Sequence, residues 1–279
     1  MLQVEALPPK ERREGMAELL RETARELREH GELLYFFAWR DVKIRYKQTV
    51  LGVLWAVLQP LLTMLIFTIV FGRLANIPTN GMPHAVFYFC ALVPWTYLST
   101  TISTGSASLI SNADLLTKIY FPRIILPGAV ALGALMDFAV ASVLIVGFVL
   151  YYGLPIGWNL LLWPLLAVPM VMLATSVAMV LATLNVRYRD LKYVVPFAIQ
   201  LLFFVTPIIY PASMVPDKFR WLLMVNPVSG LIEGFRYAVM PDLTMHWDML
   251  VVSLVVTAVL LLAAVLFFKR SERAFADYV

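Results

Sequence analysis

Residues 124–186 read IILPGAVALGALMDFAVASVLIVGFVLYYGLPIGWNLLLWPLLAVPMVMLATSVAMVLATLNV, a stretch in which Asp137 is the only charged side chain. A bilayer core is crossed by about 20 apolar residues in a helix, so the stretch is long enough for two crossings. Gly153, Pro155 and Gly157 interrupt it near the middle and predict two spanning helices, near 124–152 and 158–184. The solvent for this part of the chain is lipid, where a helix satisfies its backbone groups internally.

The same reading extends outward. Thr49–Gly72 carries no formal charge and forms a first span. Leu74–Ala113 is also uncharged, but Pro78, Asn80, Gly81 and Pro83 break its start, which places the second span near 84–111. Val194–Tyr210 is the fifth span and Met249–Phe268 the sixth. Between these two, Pro211–Trp247 is rich in apolar residues and punctuated by Pro216, Pro227 and Pro241. It predicts two short helices dipping into the outer membrane half, since irregular backbone at that depth must be buried in protein or face water. Composition agrees: 61% of the 279 residues are hydrophobic, 14% are charged and the mean hydropathy is +0.80, against about 25% charged in a soluble domain. The expected fold is all-α and polytopic. A cytoplasmic region with an amphipathic interface helix covers 1–48, six transmembrane helices cover 49–268, and a cytoplasmic tail covers 269–279.

The net charge of +4 bears on topology rather than on nucleic acid, because the basic residues are segregated. Ten Lys and Arg precede residue 49, two lie in 112–123, three in 185–193 and three after 268; Arg73, Lys218, Arg220 and Arg236 fall on the other side. Six spans with both termini in the cytoplasm give this pattern. No cleavable leader is expected, because the first apolar run starts near residue 33 behind a charged segment. Cys90 is the single cysteine and His30, His84 and His246 lie far apart, so no disulfide framework or metal cluster is expected. No phosphate-binding Gly-x-x-x-x-Gly-Lys loop and no Gly-x-Ser-x-Gly nucleophile motif occurs. Driving energy for any transport would then have to come from another subunit or from a single-site couple, and no catalytic residue is assigned.

Several segments invite function. Residues 10–32 repeat apolar positions at helical spacing between Glu and Arg, the pattern of an amphipathic surface helix. In Leu33–Gln48, Tyr35, Phe36 and Trp39 supply aromatic surface while Arg40, Lys43 and Arg45 supply positive charge. That mixture suits a helix at the membrane interface, with its cations toward anionic headgroups. The loop 112–123 exposes Leu115, Leu116, Ile119, Tyr120 and Phe121 beside Asp114, Lys118 and Arg123. Asn112 is placed to cap a short helix there and Pro122 to end it. Such apolar surface is a docking element or a loop dipped in lipid. Trp55, Tyr88, Trp95, Tyr97 and Phe204 lie within spans, where their rings either pack or line a pathway and stack on sugar faces. Ser99, Ser103, Gly105, Ser106 and Ala107 give the second span a small, polar surface suited to close helix approach or to a wet wall. Asp137 must face protein or water. It serves either transport or an interhelical hydrogen bond.

Taken in order, several strings resemble one family. Trp39-Arg40-Asp41-Val42-Lys43-Ile44-Arg45-Tyr46-Lys47-Gln48-Thr49-Val50-Leu51-Gly52, with Leu54-Trp55 and Gln59-Pro60, resembles the start of the first span in type-2 ABC permeases that export polysaccharide, such as O-antigen, capsule and teichoic acid exporters. Leu135-Met136-Asp137-Phe138, Asn185-Val186-Arg187-Tyr188-Arg189-Asp190, Pro207-Ile208-Ile209-Tyr210-Pro211, Asn226-Pro227, Glu233, Phe235-Arg236 and Phe275-Ala276-Asp277 resemble the segments that follow. The resemblance covers roughly 33–279; the charged helix at 10–32 lies outside it.

The resemblance implies a homodimer in the inner membrane with a channel along the subunit interface. It implies two copies of a nucleotide-binding ATPase partner that holds ATP and Mg, and no cofactor in this chain. A lipid-linked polysaccharide would be the substrate, within pathways such as lipopolysaccharide biosynthesis. Leu33–Gln48 would be the interface helix. The 112–123 loop would be the coupling helix, with Asp114, Leu115, Lys118, Tyr120, Phe121 and Arg123 at the ATPase. Residues 216–240 would be paired short helices at the exit. Trp55, Tyr88, Trp95, Tyr97 and Phe204 would wall the channel. The alternatives are the same architecture exporting a small drug or lipid, an ion-coupled carrier that depends on Asp137, and a membrane-embedded transferase, for which no polar constellation is found.

Overall fold

The structure is a computed structural model that describes residues 16–47, 52–119, 121–188 and 190–272. Two helices, α1 (Met16–Glu29) and α2 (Gly31–Tyr46), precede the long helix α3 (Leu54–Leu74). Next come α4 (His84–Ser106), two short segments, α5 (Ser108–Ser111) and α6 (Ala113–Lys118), and then α7 (Ile125–Tyr151) and α8 (Leu162–Arg187). The chain closes with α9 (Leu191–Val205), α10 (Asp217–Val225), α11 (Pro227–Val239) and α12 (Trp247–Glu272).

Among the described residues, α3, α4, α7, α8 with its lead-in turn from Trp158, and α12 are long and apolar enough to cross a membrane. Helix α9 is apolar but has 15 residues, ~22 Å at 1.5 Å per residue, short of a hydrocarbon core of roughly 30 Å. It stops because Thr206 is extended and Pro207 lacks the N–H that would continue the ladder. A buried irregular segment follows, with Thr206 and Ile208 fully enclosed. The all-α polytopic architecture is the one observed, with five helices of spanning length; the fifth expected span, Val194–Tyr210, is instead the shorter helix Leu191–Val205 followed by irregular backbone. The second span ends earlier than expected, at Ser106, and 108–111 forms the separate turn α5. Before α4, Asn76, Asn80 and Gly81 take positive φ, the left-handed geometry that Gly and Asn tolerate.

Helix α4 is the axis of the bundle. Sixteen of its 23 residues are buried, and it packs against α3, α7, α8, α9 and α11. A helix that carries no acidic or basic side chain is suited to such a centre. Its small residues work partly as expected: a Cβ on Gly105 would lie 2.7 Å from the Ala178 methyl, and Asn185 Nδ2 donates to Ser106 O at 2.9 Å, so α4 and α8 touch closely. Ser99 and Ser103 are left half-buried and exposed.

The two short helices expected before the last span are α10 and α11. Asn226 starts α11: its Oδ1 accepts from the Val228 N–H at 3.0 Å, and Pro227 occupies the first turn, where its missing N–H costs nothing. Helix α11 is wedged against α4, α8 and α12. A Cβ at Gly230 would meet Met249 O at 2.4 Å, and one at Gly234 would meet Leu166 at 3.0 Å.

Helix α2 runs along α7. A Cβ on Gly128 would touch Leu34, one on Gly133 would touch Ala38 and Val42, and Asp137 meets Arg45. The contacts advance in the same order on both helices, so the two run in one direction for about two and a half turns. Helix α1 docks on the end of α12, where buried Lys269 is held by Glu26 and Glu272.

Candidate functional site

Arg45 and Tyr46 form the last turn of α2, and Asp137 faces them from α7. The Arg45 guanidinium pairs with Asp137 Oδ2, and the Tyr46 hydroxyl donates to Asp137 Oδ1. Of the two sequence readings of Asp137, the structure supplies an interhelical contact, made to an ion-pair partner 92 residues away. Burial, and secondarily the Asp137 carboxylate, pushes the Tyr46 phenol up from 10.0 to about 12. The cluster borders a cavity of ≈ 430 Å³ between α2, α3, α4 and α7, within the range of roughly 300–1,000 Å³ of small-molecule sites. Trp55 and Gln59 of α3 and Thr96, Tyr97, Thr100 and Thr104 of α4 also line it. The two formal charges among the described lining residues neutralise one another, so the wall offers hydroxyl and amide groups beside aromatic faces. Sequence reading missed Gln59 and the threonines, although Thr96, Thr100 and Thr104 recur every four residues, the signature of one helical face.

The expected channel-wall residues divide. Trp55 and Phe204 are exposed, at 50% and 57%, on α3 and α9. Tyr88, Trp95 and Tyr97 are buried instead. They lie on α4, whose central position encloses them: Tyr88 meets Phe67, Trp95 meets Phe203, and Tyr97 donates its hydroxyl to Ala131 O at 3.2 Å. Of the three, Tyr97 still borders the cavity.

On α2, Tyr35, Phe36, Trp39 and Lys43 face outward, with the Lys43 ammonium 5.7 Å from the Trp39 ring. Arg40 and Arg45 turn inward. Arg40 holds Asp41 at 2.8 Å and Asn112 Oδ1 at 3.1 Å, which ties α2 to the start of α6. Asn112 therefore sits at the N-cap position of α6 with its side-chain oxygen already engaged, and its amide donates back to Ser108 O.

Helix α6 ends at Lys118, four residues before Pro122. Asp114, Lys118 and Ile119 are exposed and Leu115 is half-buried against the bundle; Tyr120 lies outside the described residues. Phe121, expected on the surface, is 5% exposed, with its ring 5.5 Å from that of Phe37. It is drawn inward because Ile124, Ile125 and Phe37 form an apolar pocket beneath the loop. Arg123 is also committed internally: its backbone N–H and Nη1 donate to Glu272 Oε1 and O at 3.0 and 3.1 Å. The loop thus has an outer face of Asp114, Lys118 and Ile119 and a root joined to α2, α7 and α12.

A family model described as "ABC-2 type transporter" matches residues 32–240. The chain is 31% identical to the O-antigen export system permease protein RfbA of Myxococcus xanthus, over 91% of this chain and 98% of that one. It is 29% identical to a Klebsiella pneumoniae protein of the same name, over 88% and 94%. It is 23% identical to the polysialic acid transport protein KpsM of Escherichia coli, over 72% and 79%.

Proposed function

The chain belongs to the ABC-2 type transporter family, and from that premise we propose that it is the permease subunit of an ATP-driven exporter of lipid-linked polysaccharide of the O-antigen kind. The observation that carries the reading is the likeness to O-antigen export permeases along nearly the whole chain, spans, α6 and paired short helices together. The permease acts as a homodimer in the inner membrane with both termini cytoplasmic, beside two copies of an ATPase that binds ATP and Mg. The exposed apolar faces of α3 and α9, including Trp55, Leu62, Leu65, Phe197, Leu201 and Phe204, support a second copy as their cover.

In this reading the ATPase grips the outer face of the loop at Asp114 and Lys118 of α6 and at Ile119 just after it. Phe121 and Arg123 do not touch the partner. They transmit, because a displaced α6 pulls on Phe37 of α2 and on Glu272 of α12. The glycan moves past Trp55, Tyr97 and the threonine face of α4. Aromatic faces accept the apolar sides of sugar rings, and hydroxyl and amide groups exchange hydrogen bonds with sugar hydroxyls as water would.

The test is purification of the tagged chain from its host in mild detergent, followed by mass spectrometry and an ATPase assay. A stoichiometric nucleotide-binding protein, with ATPase activity that responds to extracted lipid-linked glycan, is the expected result. Recovery of the chain alone, without ATPase activity, overturns the reading.

A further inference from the structure

The wall of the cavity is electrically neutral, and the helices around it are uncharged at membrane depth. Helix α4 carries no Lys, Arg, Asp or Glu, and neither does α3 from Leu54 to Gly72 or α9 from Tyr193 to Val205. Arg73 and Lys192 stand near the ends of these helices, and Asp137 is the single charged residue of α7. Of the described residues that border the ≈ 430 Å³ cavity, Arg45 and Asp137 alone bear formal charge, and they are in contact. Both oxygens of Asp137 are taken, Oδ2 by the Arg45 guanidinium and Oδ1 by the Tyr46 hydroxyl. The polar wall that remains is amide and hydroxyl, from Gln59, Thr96, Thr100 and Thr104, beside the rings of Trp55 and Tyr97.

Such a wall treats polar solutes unequally. Hydroxyl and amide groups exchange hydrogen bonds with Thr and Gln much as they do with water. An anion gives up hydration at membrane depth and meets no fixed cation in return, which is costly; pores for anions are ringed by Arg or Lys instead. Here the cation that borders the cavity, Arg45, is already neutralised by Asp137. Assembly leaves this unchanged, because an identical second copy over α3 and α9 brings the same uncharged faces.

We propose that the pathway selects an uncharged glycan, whose repeat unit carries hydroxyl and amide groups but no carboxylate or phosphate, and that the Arg45–Asp137 pair is the specificity device that keeps the wall neutral. This deepens the export reading and rests on it. The experiment uses the full complex in nanodiscs and the lipid-linked glycan extracted from the host. One portion is left native, one is lightly carboxymethylated, and one is carbamoylmethylated to the same extent. The two modified forms match in size and differ in charge. The native and carbamoylmethyl forms are expected to stimulate ATP hydrolysis at similar concentrations, while the carboxymethyl form needs about tenfold more or fails. Equal stimulation by the two modified forms overturns the proposal in the wild type alone, and so does a native glycan that stimulates while bearing carboxylate or phosphate in its repeat unit. Asp137→Asn leaves the Arg45 cation without its counter-charge and is expected to narrow the gap between the modified forms at least threefold. The double variant Arg45→Gln/Asp137→Asn, neutral again, is expected to restore the gap. These changes lie in the permease, so a shift in preference cannot come from the ATPase. A gap that stays the same in Asp137→Asn overturns the role of the pair. Stimulation by none of the three forms defeats the export reading, and the proposal with it.

Discussion

Ile119 and Phe121 are two residues apart and should respond to truncation in opposite ways. Phe121 is packed on Phe37 and Ile119 is 59% exposed. Phe121→Ala opens a cavity and should cost about 3–5 kcal/mol of stability, read as a lower unfolding midpoint of the detergent-solubilised chain alone. Ile119→Ala should leave that midpoint within about 0.5 kcal/mol of wild type and weaken recovery of the ATPase in the pull-down. A Tyr46 prediction follows from its raised phenol. The fold favours the neutral form, so the stability this group contributes is complete below pH 10 and drains as the pH rises through about 12. An unfolding midpoint followed across that window should fall less steeply in Tyr46→Phe than in wild type.

At the scale of the element, α11 depends on glycine where it crosses its neighbours. Gly230 faces the Met249 carbonyl oxygen, a backbone atom that cannot rotate away. Gly230→Ala should therefore push α11 off α12 and cost about 1–3 kcal/mol, checked by thermal unfolding. Gly31, whose added Cβ would meet nothing within 4 Å, supplies the control: Gly31→Ala is expected to be neutral or mildly stabilising because it sits in a helix. The break between α10 and α11 was legible beforehand, from Pro227. The buried neighbours were not, because burial of a 13-residue helix depends on which other helices surround it.

At the scale of the whole molecule, the buried fraction differs sharply among the spanning helices: 78% of the apolar stretch of α4 is enclosed, against 11% for α3 and 17% for α12. Helix α3 therefore owes most of its surface to lipid or to another copy. If α3 and α9 meet a second copy, Leu201→Cys in a Cys90→Ala background should form a disulfide-linked dimer on mild oxidation. Trp158→Cys, exposed at 87% on the turn leading into α8, should not. The reverse pattern on denaturing gels would move the interface elsewhere.

The sequence by itself determined the solvent, the number and order of the apolar helices, and the breaks between them. Lipid imposes a simple one-dimensional rule: long uncharged runs span, and Gly, Pro and Asn interrupt them. It could also mark Asp137 as costly and Glu233 and Arg236 as matching a family pattern. Tertiary structure alone decided what those charges do, because Arg45 meets Asp137 across 92 residues and Arg236 meets Phe87 across 149. It also decided which aromatic residues are available. Tyr88, Trp95 and Phe121 look like Trp55 and Phe204 in a hydropathy profile, yet the first three are enclosed and the last two are exposed. Hydrophobicity states that a ring leaves water; only the packing of α4 at the centre and of α3 and α9 at the edge fixes whether it enters protein or faces outward.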